Sequence, residues 1–127
     1  MPAGYDLIGD IHGHLAPLET LLEKLGYERD GNGWRHPSRQ AIFVGDFVDR
    51  GPEQRAVVNL ARTMVDNRAA LAVMGNHEFN ALAFHTRDPE QPGTLRQRSN
   101  RNIRNHLAFL NAYLGDREAE AELPAVL

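Results

Sequence analysis

Cysteine is absent from the 127 residues, so disulfides, thiolate metal sites and a cysteine nucleophile are all excluded. Any metal must be held by oxygen and imidazole ligands, a set that suits Mn²⁺, Fe, Zn²⁺, Co²⁺ or Mg²⁺. No apolar run approaches the length of a membrane span. The opening Met1-Pro2-Ala3-Gly4-Tyr5-Asp6 has neither a basic region nor a stretch of signal length, so no membrane partner and a cytoplasmic location are the expectations. There is no excess of positive charge either: the net charge is −3, which gives no footing for non-specific nucleic-acid binding. An anionic substrate would need positive charge concentrated locally, on metal ions or a few placed arginines. What remains is an ordinary globular balance, 42% hydrophobic and 24% charged, in a chain long enough for one domain.

Three short apolar runs each close on a glycine and then a polar cluster. Tyr5-Asp6-Leu7-Ile8 leads into Gly9-Asp10-Ile11-His12-Gly13. Ala41-Ile42-Phe43-Val44 leads into Gly45-Asp46-Phe47-Val48-Asp49-Arg50-Gly51. Ala70-Leu71-Ala72-Val73-Met74 leads into Gly75-Asn76-His77-Glu78. Such runs predict buried parallel strands. Between them, Leu15, Leu18, Leu21, Leu22 and Leu25 form one helical stripe. Ala56, Val57, Leu60, Ala61 and Met64 form another in a helix starting near Pro52. The β-α-β-α-β order implies an α/β fold, a mainly parallel β-sheet with flanking helices. Ligands bind such sheets beyond the carboxyl ends of the strands, where all three clusters fall.

The insert from Gly26 to Arg39 contains Asp30-Gly31-Asn32-Gly33, a turn signal that would close a small hairpin around Trp34. After the third cluster, a short helix over Phe79 to Phe84 and a loop from Thr86 to Gly93 are expected. A last helix, about 99–114, would bury Ile103, Leu107, Leu110 and Leu114. The tail 115–127 is acidic and then apolar, and is expected to be poorly ordered or cut short.

Asp10 and His12 are two residues apart, so in extended backbone both side chains leave one side and can hold a divalent ion. A turn aspartate beside a surface histidine has the same pattern. Asp46 follows the second strand as Asp10 follows the first, and two carboxylates brought together repel unless a cation separates them. Asn76 adds a neutral oxygen ligand, with His77 beside it. Two divalent cations against two carboxylates and a hydroxide leave a net positive centre, able to attract phosphate and acidify bound water.

These three segments resemble the GD-x-HG, GD-x-VDRG and GNHE motifs of the calcineurin-like metallophosphoesterases. The full VDRG form is similar to the branch of serine/threonine protein phosphatases and bacterial diadenosine tetraphosphatases, and Gly75 to Ala83 is worded more like the bacterial members. The resemblance implies half of an αββα sandwich, with the motif-bearing part at residues 5–85. It implies that Asp10 and His12 bind one metal, that Asp46 bridges two, and that Asn76 binds the second metal and the phosphate. His77, oriented by Asp49, would protonate the leaving group, and Arg50 would clamp a phosphate oxygen. Phosphoesters or phosphoanhydrides, including dinucleoside polyphosphates, would be hydrolysed through a metal-bound hydroxide. The alternatives are a serine/threonine protein phosphatase and a non-catalytic metal- or phosphate-binding remnant.

Members supply two more histidines from a second sheet, and neither motif is visible here. The domain 1–127 is therefore expected to be truncated, with a weak or empty second metal site and an uncovered sheet face that favours self-association. Of the remaining histidines, His14 would start the first helix and His36 sit inert in the insert. His85 has no ligand partner nearby in sequence, and His106 is read as packing or surface rather than metal binding. The basic run Arg96, Arg98, Arg101, Arg104 is read as a solvated helix face.

Overall fold

The computed structural model describes residues 1–114, so expectations for 115–127 lie outside the described residues. Three parallel strands form the main sheet: β1 (Gly4–Ile8), β4 (Arg39–Phe43) and β5 (Ala70–Ala72), in the order β1-β4-β5. A two-stranded antiparallel hairpin, β2 (Glu28–Asp30) and β3 (Gly33–Arg35), turns through Gly31 and Asn32 as its Asp-Gly-Asn-Gly sequence predicts. Five helices complete the described residues: α1 (Leu15–Lys24), α2 (Gln54–Asp66), α3 (Asn76–His85), α4 (Asn100–Asn105) and α5 (Leu107–Tyr113).

One face of the sheet is packed. Ile8, Ala41, Phe43 and Ala70 meet Leu18 and Leu22 of α1 and Val57, Leu60, Ala61 and Met64 of α2, with Trp34 and Tyr27 closing the side. The stripe on α1 is narrower than its leucines suggest, because Leu21 is exposed. α2 begins at Gln54, two positions after Pro52, and Ala56 is only half-buried.

The other face is open. Side chains two apart share a face, and the register aligns Leu7 with Ile42 and Ile42 with Leu71. Tyr5, Leu7, Leu71 and Val73 are exposed there, Leu7 at 72%. These strands thus bury one face rather than two.

Two expectations need correction. The third run, Ala70 to Met74, is strand only as far as Ala72, and Asn76 and His77 form the first turn of α3 behind Gly75. The single helix expected over 99–114 is two, interrupted at His106, which ends α4 and starts α5 with φ −108° and ψ 4°. The break changes which side faces inward. Phe109 and Tyr113 are buried with Val48 and Ala81, whereas Leu107 and Leu114 are exposed.

Polar groups lock the amino-terminal end of the sheet. Asp6 accepts from Tyr27 Oη at 2.9 Å and from Arg39 Nε at 3.0 Å, which ties the hairpin insert to β1 and β4. Burial tends to raise Asp6, but the Arg39 and Tyr27 hydrogen bonds override it and hold the carboxyl below its ordinary value. Burial and the Asp6 partner push the Tyr27 hydroxyl up.

Candidate metal centre

The three polar loops meet at the carboxyl end of the sheet and are stitched by backbone. His12 N donates to Asp46 O at 2.8 Å, Gly13 N to Phe47 O at 2.8 Å, and Gly51 N back to His12 O at 2.7 Å. The second and third loops approach so closely that a Cβ on Gly45 would lie 2.2 Å from the Gly75 nitrogen. Gly75 is equally constrained: its Cβ would stand 2.3 Å from Asp46 Oδ1. Glycine is required at both positions because no side chain fits between the loops.

Glu78 fastens the same junction. Its carboxylate accepts from the backbone amides of Gly75 at 3.0 Å, Phe47 at 2.9 Å and Val48 at 3.3 Å, and from that of Asp46. Sequence reasoning assigned Glu78 no role. The available signal was its place three residues after the helix cap at Gly75, where a carboxylate can reach back to the cap amide.

The backbone is strained here and almost nowhere else. Among the described residues, six non-glycine positions have positive φ, and five are Asp10 (53°), His12 (46°), Asp46 (59°), Asp49 (69°) and Arg50 (78°). Each such conformation costs about 1–2 kcal/mol, and strain of this kind persists where surrounding structure enforces it, as at functional sites. It also corrects the extended backbone expected for Asp10 and His12. Their side chains converge through two left-handed residues.

That convergence is close. One ligand atom from each of Asp10, His12 and Asp46 lies within 4.8 Å of the others. His12 is buried, and its Nδ1 donates to the Val48 carbonyl at 2.9 Å. A carbonyl can only accept, so this bond sets the tautomer and leaves Nε2 as the free ligand nitrogen. Asn76 joins from α3. With its amide nitrogen turned inward it donates to the two Asp46 carboxylate oxygens at 3.1 and 3.2 Å. With its oxygen turned inward, three oxygens would meet, an arrangement that a cation between them stabilises. No lysine or arginine pairs with Asp10 or Asp46 among the described residues. The donor set therefore fits a hard or borderline divalent ion.

Beside this cluster, His77 Nδ1 donates to Asp49 Oδ2 at 2.8 Å, and its ring stands edge-on to His12 with centroids 4.7 Å apart. The other Asp49 oxygen is engaged by His106 Nδ1 at 2.6 Å. Burial works to raise Asp49, yet the hydrogen bonds from His106 and then His77 hold it below the usual carboxylate range. His106 was read from sequence as packing or surface. It is 5% exposed and bonded to the site, a link no local pattern reveals across 57 positions. His85 Nε2 lies 3.1 Å from His106 Nε2, and burial, then His106 and Arg98, push His85 down to about 4.

A cleft of about 650 Å³ opens on this side, lined by Arg50, Asn76, His77, Arg96, Arg104 and His106 among others. The basic run is thus not one solvated face. Arg98 lies over the Phe84 ring and donates to its carbonyl, while Arg96 and Arg104 turn toward the cleft.

Residues 5–120 match the sequence profile of the family described as calcineurin-like phosphoesterase. The bis(5'-nucleosyl)-tetraphosphatase PrpE [asymmetrical] of Oceanobacillus iheyensis is 45% identical over 73 residues, covering 57% of this chain and 29% of that protein. Its counterpart in Halalkalibacterium halodurans is 45% identical over 74 residues, covering 58% and 30%. The chain spans about three-tenths of these relatives. Among solved structures, a mutant cold-active protein tyrosine phosphatase aligns with a TM-score of 0.50 at 24% identity, covering 87% of this chain and 34% of that one, a likeness of fold alone.

Proposed function

Because this chain belongs to the calcineurin-like phosphoesterase family, we propose that it carries a divalent-metal site for hydrolysing phosphoester or phosphoanhydride bonds. The observation that carries the reading is the meeting of Asp10, His12 and Asp46 with no lysine or arginine among the described residues to neutralise the two carboxylates. A bound divalent ion would attract a phosphate anion and bring the pKa of coordinated water toward neutrality. Mn²⁺ is the ion we assign, acting in the cytoplasm; the oxygen and imidazole donors suit it.

The remaining steps fall to the chain's own side chains. Asp10, His12 and Asp46 would hold the ion, and Asn76, with its amide oxygen turned inward, would offer a donor beside Asp46 to a second ion and to the phosphate. Arg50, exposed at the cleft, presents its planar fork of donors to a non-bridging phosphate oxygen. His77 keeps Nδ1–H on Asp49 and directs Nε2 to the leaving-group oxygen; with a second proton carried on Nε2, as the imidazolium, it delivers that proton there and is left as the neutral ring. The leaving group then lies on the side where Arg96 and Arg104 line the cleft. Those cations favour an anionic leaving group, as in a dinucleoside polyphosphate, over a neutral serine or threonine side chain.

Hydrolysis of p-nitrophenyl phosphate with Mn²⁺ tests the assignment. Asp46→Asn should lower turnover by about 10³-fold and His77→Ala by about 10²-fold, with the exposed Arg62→Ala unchanged. Full activity in Asp46→Asn would end the proposal.

A further inference from the structure

The carboxylate of Asp49 is held at both oxygens, and only one of its partners is accounted for by the reaction. His77 takes Oδ2, and His106, from the interruption between α4 and α5, takes Oδ1 at 2.6 Å. Asp49 is 4% exposed, so water does not solvate the second oxygen. A carboxylate bound at one oxygen can swing about its Cβ–Cγ bond; one bound at both has a fixed plane. Fixing that plane fixes the direction from which His77 is held.

His106 is itself immobilised. Its ring stacks on Phe109 with centroids 4.4 Å apart and planes 17° from parallel, and it meets Phe84 at 5.0 Å. Its far nitrogen faces His85 Nε2 at 3.1 Å. A neutral His85 can donate to a neutral His106 or accept from a protonated one, and in both cases His106 keeps Nδ1–H on Asp49. His106 stands where α4 ends and α5 begins, at φ −108°, with its amide on Asn102 O at 3.1 Å and its carbonyl accepting from Leu110 N at 3.1 Å, so backbone on both sides holds it.

We propose that His106 is a positioning residue for the Asp49–His77 pair, which makes the α4–α5 segment part of the framework that aims the proton donor. This rests on the reading of His77 as the donor to the leaving group. His106 touches neither the candidate metal ligands nor the substrate phosphate in this scheme.

The test uses the full chain in three forms: wild type, His106→Asn, which keeps a donor where Nδ1 stood, and His106→Phe, which keeps a ring without one. Long-range nitrogen–proton imidazole NMR without added metal should show an exchange-protected, downfield Nδ1–H on His106 in the wild type. It should show His77 in a single Nδ1–H tautomer in wild type and His106→Asn, and a mixture of tautomers in His106→Phe. Absence of the protected proton in the wild type would overturn the proposal whatever the variants do, including a failure of His106→Phe to fold. So would an unchanged His77 tautomer in a folded His106→Phe.

With Mn²⁺, kcat of His106→Phe should fall about tenfold further for an alkyl phosphate than for p-nitrophenyl phosphate, because the poorer leaving group depends more on the proton. KM should stay level, and His106→Asn should restore most of the loss. An equal loss on both substrates would mark His106 as merely structural and refute the proposal. A wild-type chain that hydrolyses neither substrate counts against the phosphoesterase reading alone, and the NMR result still decides the placement of Asp49.

Discussion

The two ends of one small sheet treat their acidic side chains in opposite ways. At the amino-terminal end, Asp6 is neutralised by Arg39 and Tyr27, with strands and insert drawn together around it. At the carboxyl end, Asp10 and Asp46 converge on backbone held in left-handed conformations, and no lysine or arginine among the described residues pairs with them. The first cluster is complete within the chain and serves stability. The second, in the function proposed above, would be completed by an ion from outside.

Paired substitutions test that contrast most sharply. Asp46→Asn should abolish about 99.9% of phosphoesterase turnover yet leave the metal-free unfolding free energy unchanged or raised, because it relieves repulsion. Asp6→Ala should do the reverse, costing about 2 kcal/mol in denaturant unfolding while sparing turnover per folded molecule. If Asp46→Asn destabilises as much as Asp6→Ala, the contrast is wrong.

Calorimetric titration probes the next level. Asp46 and Asn76 alone offer a second ion two donors, so one Mn²⁺ per chain is expected, and two tight sites would refute that count.

Acid should act unevenly on the molecule. The unfolded chain's His85 takes up its proton near 6.5, but in the folded chain not until about 4. The unfolded state therefore binds the extra proton between those values, and stability falls as pH drops through that window. Denaturant midpoints measured from pH 7 to 4 should decline less steeply in His85→Gln. A parallel decline in both would remove His85 as the cause.

The smallest effect concerns the open face. Tyr5, Leu7, Leu71 and Val73 should give weak, concentration-dependent light scattering that Leu7→Asp reduces. A wild type that scatters as a monomer at all concentrations would leave that face inert.

Much of this arrangement was legible from local pattern, for a reason seen in Gly45 and Gly75. Each ends an apolar run, and each is glycine because neighbouring loops touch there. Each strand end, its turn and the site residue that follows it are therefore written within a few residues of one another. Glu78 and His106 were harder to read because their partners lie in other segments, about thirty and 57 residues away. Nothing in Asn100 to Leu114 announces a break at His106, since its flanking residues are compatible with one continuous helix. The extended geometry expected of Asp10 and His12 failed for the opposite reason. The intended side chains met, but through strained φ values that tertiary contacts impose.

The β2–β3 hairpin offers a practical handle. Its Gly31-Asn32 tip is exposed, a Cβ on Gly31 would meet nothing within 4 Å, and Gly33 beside it packs near Thr63 and Met64, towards the carboxyl end of α2. A dye, affinity tag or surface linker spliced between those two residues would hang away from the mouth of the cleft. Immobilised protein could then be loaded with successive ions and washed without the attachment point obstructing entry.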